Sequence, residues 1–177
     1  MNISQLQKHQ WHDLLDIYLE AFPKAERKPP FILKHSVKTG KAQILAAEED
    51  GTLIGFVMVI PYLDMVMVDY LAVSGNIRSR GTGSQLIQEV SRRFADKKIV
   101  LLIEALDDQA ENREQRIARR RFYLKNGFAS SDIFIRGVSG TMEVMNLGGT
   151  VSSKDYLRLQ KYALGNLFFR FSRISLA

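Results

Sequence analysis

Three stretches of the chain carry residues whose types and spacing could do chemistry. The first is Arg78-Ser79-Arg80-Gly81-Thr82-Gly83-Ser84, which lies between the apolar run Val68-Asp69-Tyr70-Leu71-Ala72-Val73 and a helical run marked by Leu86, Ile87, Val90 and Phe94. A helix starting at this turn points unpaired backbone N–H groups and the positive end of its dipole into the turn, which suits an anion. Gly81 and Gly83 remove side chains that would hold an anion away from those amides, and they allow positive φ. Arg78 and Arg80 add attraction for the same anion. The second is Glu104, a carboxylate near the end of the otherwise apolar run Lys98 to Leu106, where burying a charge is costly unless it has a task. The third is Tyr123, set among Arg113, Arg116, Arg119, Arg120 and Arg121.

Other glycine-loop chemistries fail on spacing. A P-loop needs Gly-x-x-x-x-Gly-Lys-Ser/Thr, but counted from Gly75 its second glycine falls at Arg80, and no Lys-Ser or Lys-Thr follows. A dinucleotide fingerprint would place a glycine where Leu86 stands. With no cysteine, the chain has no disulfide, thiolate-bound zinc or cysteine nucleophile. His9, His12 and His35 lack metal-ligand spacing and read as surface residues, so no metal is expected.

The elements that must position these residues follow from periodicity. Leu14, Leu15, Tyr18 and Leu19 mark a first helix over residues 10–21, stopped by Pro23, and Phe31 to Lys38 reads as a second. Gln43 to Glu48 and Thr52 to Pro61 form a hairpin around Glu49-Asp50-Gly51, and Met65 to Val73 is a third strand. After the glycine turn come a helix, a strand over Lys98 to Leu106 and a helix from Glu114 to Asn126. Ile133 to Val138 and Thr141 to Leu147 flank Ser139-Gly140 as a second hairpin, and Ser152-x-x-Asp155 caps a last helix ending at Leu164. The order α-α-β-β-β-α-β-α-β-β-α implies a three-layer α/β (α+β) chain. Its central sheet is mixed, mostly antiparallel, of about six to seven strands flanked by helices. The methionines at 58, 65, 67, 142 and 145 lie in strands and read as core, with Met142 and Met145 also candidates for an acceptor pocket.

At 177 residues the expectation is one domain over 1–177, with about 150–177 as a candidate appendage. A net charge of +6 admits anionic partners without choosing among them. The arginines around Tyr123 cover several sides of their helix and read, with Glu111 and Glu114, as a solvated face, which argues against nucleic acid. The start of the chain lacks the apolar core of a signal peptide, and no apolar run is long enough to span a bilayer. The expected location is therefore cytoplasmic, with no membrane partner. Leu167, Phe168, Phe169 and Phe171 are hard to bury in one small domain and suggest a homodimer.

Together, Tyr70-Leu71-Ala72-Val73 with Arg78-x-x-Gly81-x-Gly83, and Arg121-Phe122-Tyr123-Leu124-Lys125-Asn126-Gly127-Phe128, resemble the GNAT acetyltransferase family over about residues 10–147. The resemblance implies the GNAT acyl-CoA N-acyltransferase fold and acetyl-CoA as cosubstrate. The pantetheine arm would pair with the backbone of Leu71, Ala72 and Val73, and its pyrophosphate would sit on Arg78, Ser79, Arg80, Gly81, Thr82, Gly83 and Ser84. The implied reaction is acetyl transfer to a primary amine of a small molecule or peptide, with Tyr123 as proton donor to the CoA sulfur. Glu104 is the candidate base, with Asp69 behind it and a water chain as the alternative. Two positions depart from relatives: Met67 stands where histone-type members have a glutamate, and Arg116 where many have an asparagine. The alternative reading is a non-catalytic acyl-CoA-binding or protein-interaction module of the same fold.

Overall fold

The computed structural model describes residues 1–77, 81–137, 140–165 and 175–177. Its strands are β1 (Asn2–Gln5), β2 (Gln43–Glu49), β3 (Thr52–Tyr62), β4 (Met65–Val73), β5 (Lys98–Glu104), β6 (Ala129–Gly137), β7 (Gly140–Leu147) and β8 (Ser175–Leu176). Its helices are α1 (Trp11–Ala21), α2 (Pro30–Lys38), α3 (Thr82–Arg93), α4 (Arg113–Lys125) and α5 (Ser153–Leu164). Hydrogen-bonded neighbours follow the order β1-β2-β3-β4-β5-β7-β6-β8. The only parallel pair among the registers of the described residues is β4 with β5, as expected where a helix, α3, connects two strands. The mixed, mostly antiparallel sheet expected from the sequence is present, and β1 and β8 add to the strands anticipated.

The chain divides into two compact units. The first comprises Met1–Pro61 and Val68–Arg93, the second Tyr62–Met67 and Phe94–Ala177. In the first, β2 and β3 are buried along almost their whole length, Ile44 to Ala47 and Leu53 to Ile60, as strands covered on both faces must be. Helix α1 buries Leu14, Ile17 and Tyr18, one stripe at i, i+3 and i+4, and stops at the extended residue Phe22 before Pro23. Helix α2 opens on Pro30, whose missing N–H costs nothing in a first turn, and buries Leu33. Helix α3 buries Leu86, Ile87 and Val90. Gly55 marks a close approach: a Cβ there would meet the Ala72 carbonyl at 2.8 Å.

In the second unit β5 buries Ile99, Val100, Leu101 and Ile103 between flanking strands. It pairs antiparallel with β7 from Ile99↔Leu147 to Glu104↔Met142. Strand β6 begins four residues earlier than the alternation predicts, at Ala129, through a register shift between Ser130 and Phe134 where Asp132 takes φ 54°. Helix α4 ends at Gly127, φ 87°, and α5 is capped as anticipated: the Ser152 hydroxyl accepts from the Asp155 N–H at 3.2 Å. No helix among the described residues is long and apolar enough to cross a membrane.

Candidate active site

In the first unit, Val68 to Val73 is the part of β4 beyond Met67, the last residue in the β4–β5 register. Val68, Tyr70 and Ala72 are buried, and Asp69, Leu71 and Val73 alternate with them on the half-buried face. The strand stays on β3 to its end, where the Ser74 N–H donates to the Ile54 carbonyl at 2.9 Å. The Glu20 carboxylate of α1 then accepts the Gly75 N–H at 3.1 Å, and a side chain at Gly75 would collide with that carboxylate. Gly81 takes φ 81°, a left-handed conformation that favours glycine, and α3 follows at once. The Gln85 N–H reaches the Gly81 carbonyl at 3.0 Å, so Thr82, Gly83 and Ser84 form the first turn, whose amides have no partner within the helix. Free amides in the first turn of a helix can receive an anion.

Beside the strand, three rings of the same unit meet edge to face or tilted. Tyr18 lies 5.0 Å from Tyr70, and Phe22 lies 4.9 Å from Tyr70, centroid to centroid. The Tyr70 hydroxyl donates to the Glu26 carbonyl at 2.9 Å and accepts the Lys28 N–H at 3.2 Å, which ties the connection between α1 and α2 to β4. Burial, then the Asp69 charge, pushes the Tyr70 phenol well above its ordinary pKa. The Lys28 ammonium bonds both Asp69 oxygens, at 2.6 and 2.8 Å.

In the second unit, Tyr123 is the one buried residue of α4, its ring packed against Phe122 and Phe128 with centroids 5.1 and 5.4 Å away. Its hydroxyl makes no hydrogen bond among the described residues. Burial pushes the phenol up to about 12, against the pull of the Arg119 charge. At neutral pH the group is a protonated donor.

Glu104, the last residue of β5, accepts from Asn112 Nδ2 at 2.9 Å and Arg119 Nη1 at 2.7 Å. Arg113, Arg119 and Arg121 of α4 are exposed, as the sequence suggests, whereas Arg116 and Arg120 are half-buried. Arg116 and Arg119 pair with Glu104, and Arg120 makes two bonds to Glu143, whose side chain is 4% exposed on β7. Only Arg113 pairs locally, with Asp108 and Glu114.

The model of the Acetyltransferase (GNAT) domain matches residues 40–130, just over half of the chain. The chain belongs to the GNAT acetyltransferase family. As a GNAT member it is an acyltransferase. No curated protein is a significant match to the sequence. Among solved structures, a GNAT-family protein from Bacteroides thetaiotaomicron is similar with TM-score 0.76 at 17% identity, over 96% of this chain and 99% of that one. An aminoglycoside 6'-N-acetyltransferase complexed with coenzyme A gives 0.67 at 18%, over 82% and 96%. The ribosomal-protein-alanine N-acetyltransferase from Brucella melitensis gives 0.64 at 16%, over 82% and 98%. At these identities the likeness is one of fold.

Within this GNAT chain, Leu71, Ala72 and Val73 end β4, and Gly81, Thr82, Gly83 and Ser84 open α3. Arg78, Ser79 and Arg80 lie outside the described residues, as do Ser139, Leu167, Phe168, Phe169 and Phe171. Met67 is buried. Asn112 sits at the start of α4, where it bonds both Glu104 and Arg116. Met145 is fully buried and Met142 partly so. Three groups were not legible beforehand: the Lys28–Asp69 pair, the Glu20–Gly75 bond and the Glu143–Arg120 pair. Each joins residues more than twenty positions apart. A carboxylate inside an apolar strand, Glu143 in Thr141 to Leu147, was the one signal available.

Proposed function

We propose that the chain transfers an acetyl group from acetyl-CoA to a primary amine of a small molecule or peptide. The observation that carries this reading is the end of β4, Val68 to Val73, running, past Gly75, into the Gly81–Ser84 opening of α3. Backbone groups of Leu71, Ala72 and Val73 take the pantetheine amides, and the turn with Arg78, Ser79, Arg80 and the amides of Gly81 to Ser84 takes the pyrophosphate. The fold is shared with an acetyltransferase complexed with coenzyme A, which supports the same cosubstrate.

The amine attacks the thioester carbonyl, the C–S bond breaks, and the departing thiolate takes a proton from Tyr123. The ammonium formed on nitrogen loses its proton to the base or to solvent. No covalent enzyme intermediate is needed. A phenol near 12 is fully protonated at neutral pH, and a thiol has a pKa of about 8.5. The transfer therefore gains from any cation that stabilises the phenolate.

The test is binding followed by turnover. Millimolar acetyl-CoA should raise the thermal midpoint by several degrees. Gly83→Glu should abolish that rise while leaving the fold intact, because a carboxylate in a first helical turn favours the helix but repels the pyrophosphate. CoA release is then followed across a panel of amines. No midpoint shift in the parent protein overturns the reading, and a shift without CoA release for any amine leaves an acyl-CoA-binding module.

A further inference from the structure

Helix α4 has thirteen residues and buries only one, Tyr123. Apolar burial holds most helices of this length in place; here it comes from that ring and from Ile117 and Phe122, which are only half-buried. The other side chains that tie α4 to the sheet of its own unit are polar. Glu104 of β5 sits at the centre of the larger group. One of its oxygens lies 2.9 Å from Asn112 Nδ2 and 3.4 Å from Arg116 Nη2, and the other lies 2.7 Å from Arg119 Nη1. Arg116 closes the set through Asn112 Oδ1 at 2.7 Å and the Ala105 carbonyl at 2.9 Å. The carboxylate is 13% exposed and Arg116 17%, so water screens the central pair only weakly. Arg119 stands one helical turn before Tyr123, at i and i+4, on the same side of α4.

We infer that Glu104 is a positioning residue: by holding Arg116 and Arg119 against the end of β5 it fixes the turn of α4 that presents Tyr123. The inference rests on Tyr123 acting as the proton donor. It also gives Arg119 a task, because a guanidinium fixed near the phenol opposes the upward push of burial and stabilises the phenolate formed when the proton leaves. A general base needs an oxygen ready to take a proton. Glu104 has both oxygens engaged with donors, two of them permanently charged, so protonation would break the contacts that hold the helix.

The experiment compares Glu104→Gln, Arg119→Gln, Arg119→Lys and the pair Glu104→Gln/Arg119→Gln, with acetyl-CoA and the best amine of the panel. Arg119 is 42% exposed, so its variants should fold even if Glu104→Gln is destabilised. Glu104→Gln and Arg119→Gln should each lower kcat roughly 10- to 100-fold, with KM for acetyl-CoA within about twofold, the size expected of a misplaced group. The double variant should lose no more than either single one, Arg119→Lys should recover most of the activity, and the low-pH limb of kcat/KM should stay in place. Disappearance of that limb in Glu104→Gln makes Glu104 the base and overturns the inference, as do additive losses or a fully active Glu104→Gln. Thermal midpoints of the same four proteins test the clamp apart from catalysis. Non-additive midpoints support the clamp whatever Tyr123→Phe does to turnover, and additive midpoints overturn it. A fully active Tyr123→Phe sinks the proton-donor reading alone.

Discussion

In the first unit the groups proposed to receive acetyl-CoA are mainly main-chain ones: the backbone of β4 and the amides that open α3. The side chains around them serve to hold the backbone, as Glu20 does at Gly75 and Tyr70 at residues 26 and 28. In the second unit the groups singled out among the described residues are side chains. Its candidate chemistry is a single phenol on a helix positioned by charge pairs, Arg116 and Arg119 on Glu104 and Arg120 on Glu143. The two strategies differ in what a substitution can damage. A main-chain site tolerates most changes except those that add a side chain or a charge at a glycine. A side-chain site fails at any one member of the network, because a buried charge left without its partner is costly.

The comparison breaks most sharply at Tyr123. Tyr123→Phe keeps the ring packed on Phe122 and Phe128 and removes only the hydroxyl, so binding of acetyl-CoA should persist while kcat falls by roughly 10²–10⁴-fold, the range for a general acid. Equal loss of binding and turnover, read by calorimetry beside kinetics, would show that the hydroxyl serves binding rather than proton transfer.

The next largest effect is on stability. Arg120→Met leaves the Glu143 carboxylate, 4% exposed, without its guanidinium. Chemical denaturation should show a loss of about 2–3 kcal/mol, below the figure for a fully buried pair because Arg120 is partly solvated. Adding Glu143→Leu should recover most of it. An unaltered single variant would mean that α4 is held by something other than its charges.

The smallest effect belongs to the first unit. Glu89 on α3 is held down to about 2 by Arg92 and then Arg93. Its folded pKa lies below the unfolded value, so its contribution is present above about 4.5 and disappears as the pH falls toward 2. These pairs lie within one helix, with the Arg92 side chain 71% exposed, and Glu89→Gln should lower the thermal midpoint at pH 7 by only about 1–2 °C, with the difference vanishing in acid. A larger drop would erase the contrast between surface pairs in one unit and sheet-anchoring pairs in the other.

How much of this was legible in the sequence follows the range of the contacts, not the two units. The strand–turn–helix unit could be read because glycine spacing and apolar periodicity are local. The ends of α1, α5, β3 and β4 fall within one residue or so of expectation for that reason. Strand β1, Asn-Ile-Ser-Gln, has a single apolar residue and pairs with β2 across some forty residues, so no local pattern reveals it. The start of β6 was missed because Ala-Ser-Ser-Asp has the composition of a turn, and the bulge at Asp132 lets a strand pass through it. The pairings of Arg116, Arg119 and Arg120 were missed since their partners, Glu104 and Glu143, come from strands outside the helix. Spacing on a helix shows which way a charge points, not what it meets.

Gly55 has a consequence beyond its own strand. Because only a glycine accommodates the Ala72 carbonyl at that distance, the two strands mate at one offset, like a notch cut for a single tooth. Slippage by one position would drive a side chain into that carbonyl and turn Asp69, Leu71 and Val73 to the opposite face. One missing methyl group on β3 thus sets which residues of its neighbour look outward, and so decides the orientation of a surface to which it contributes no atom.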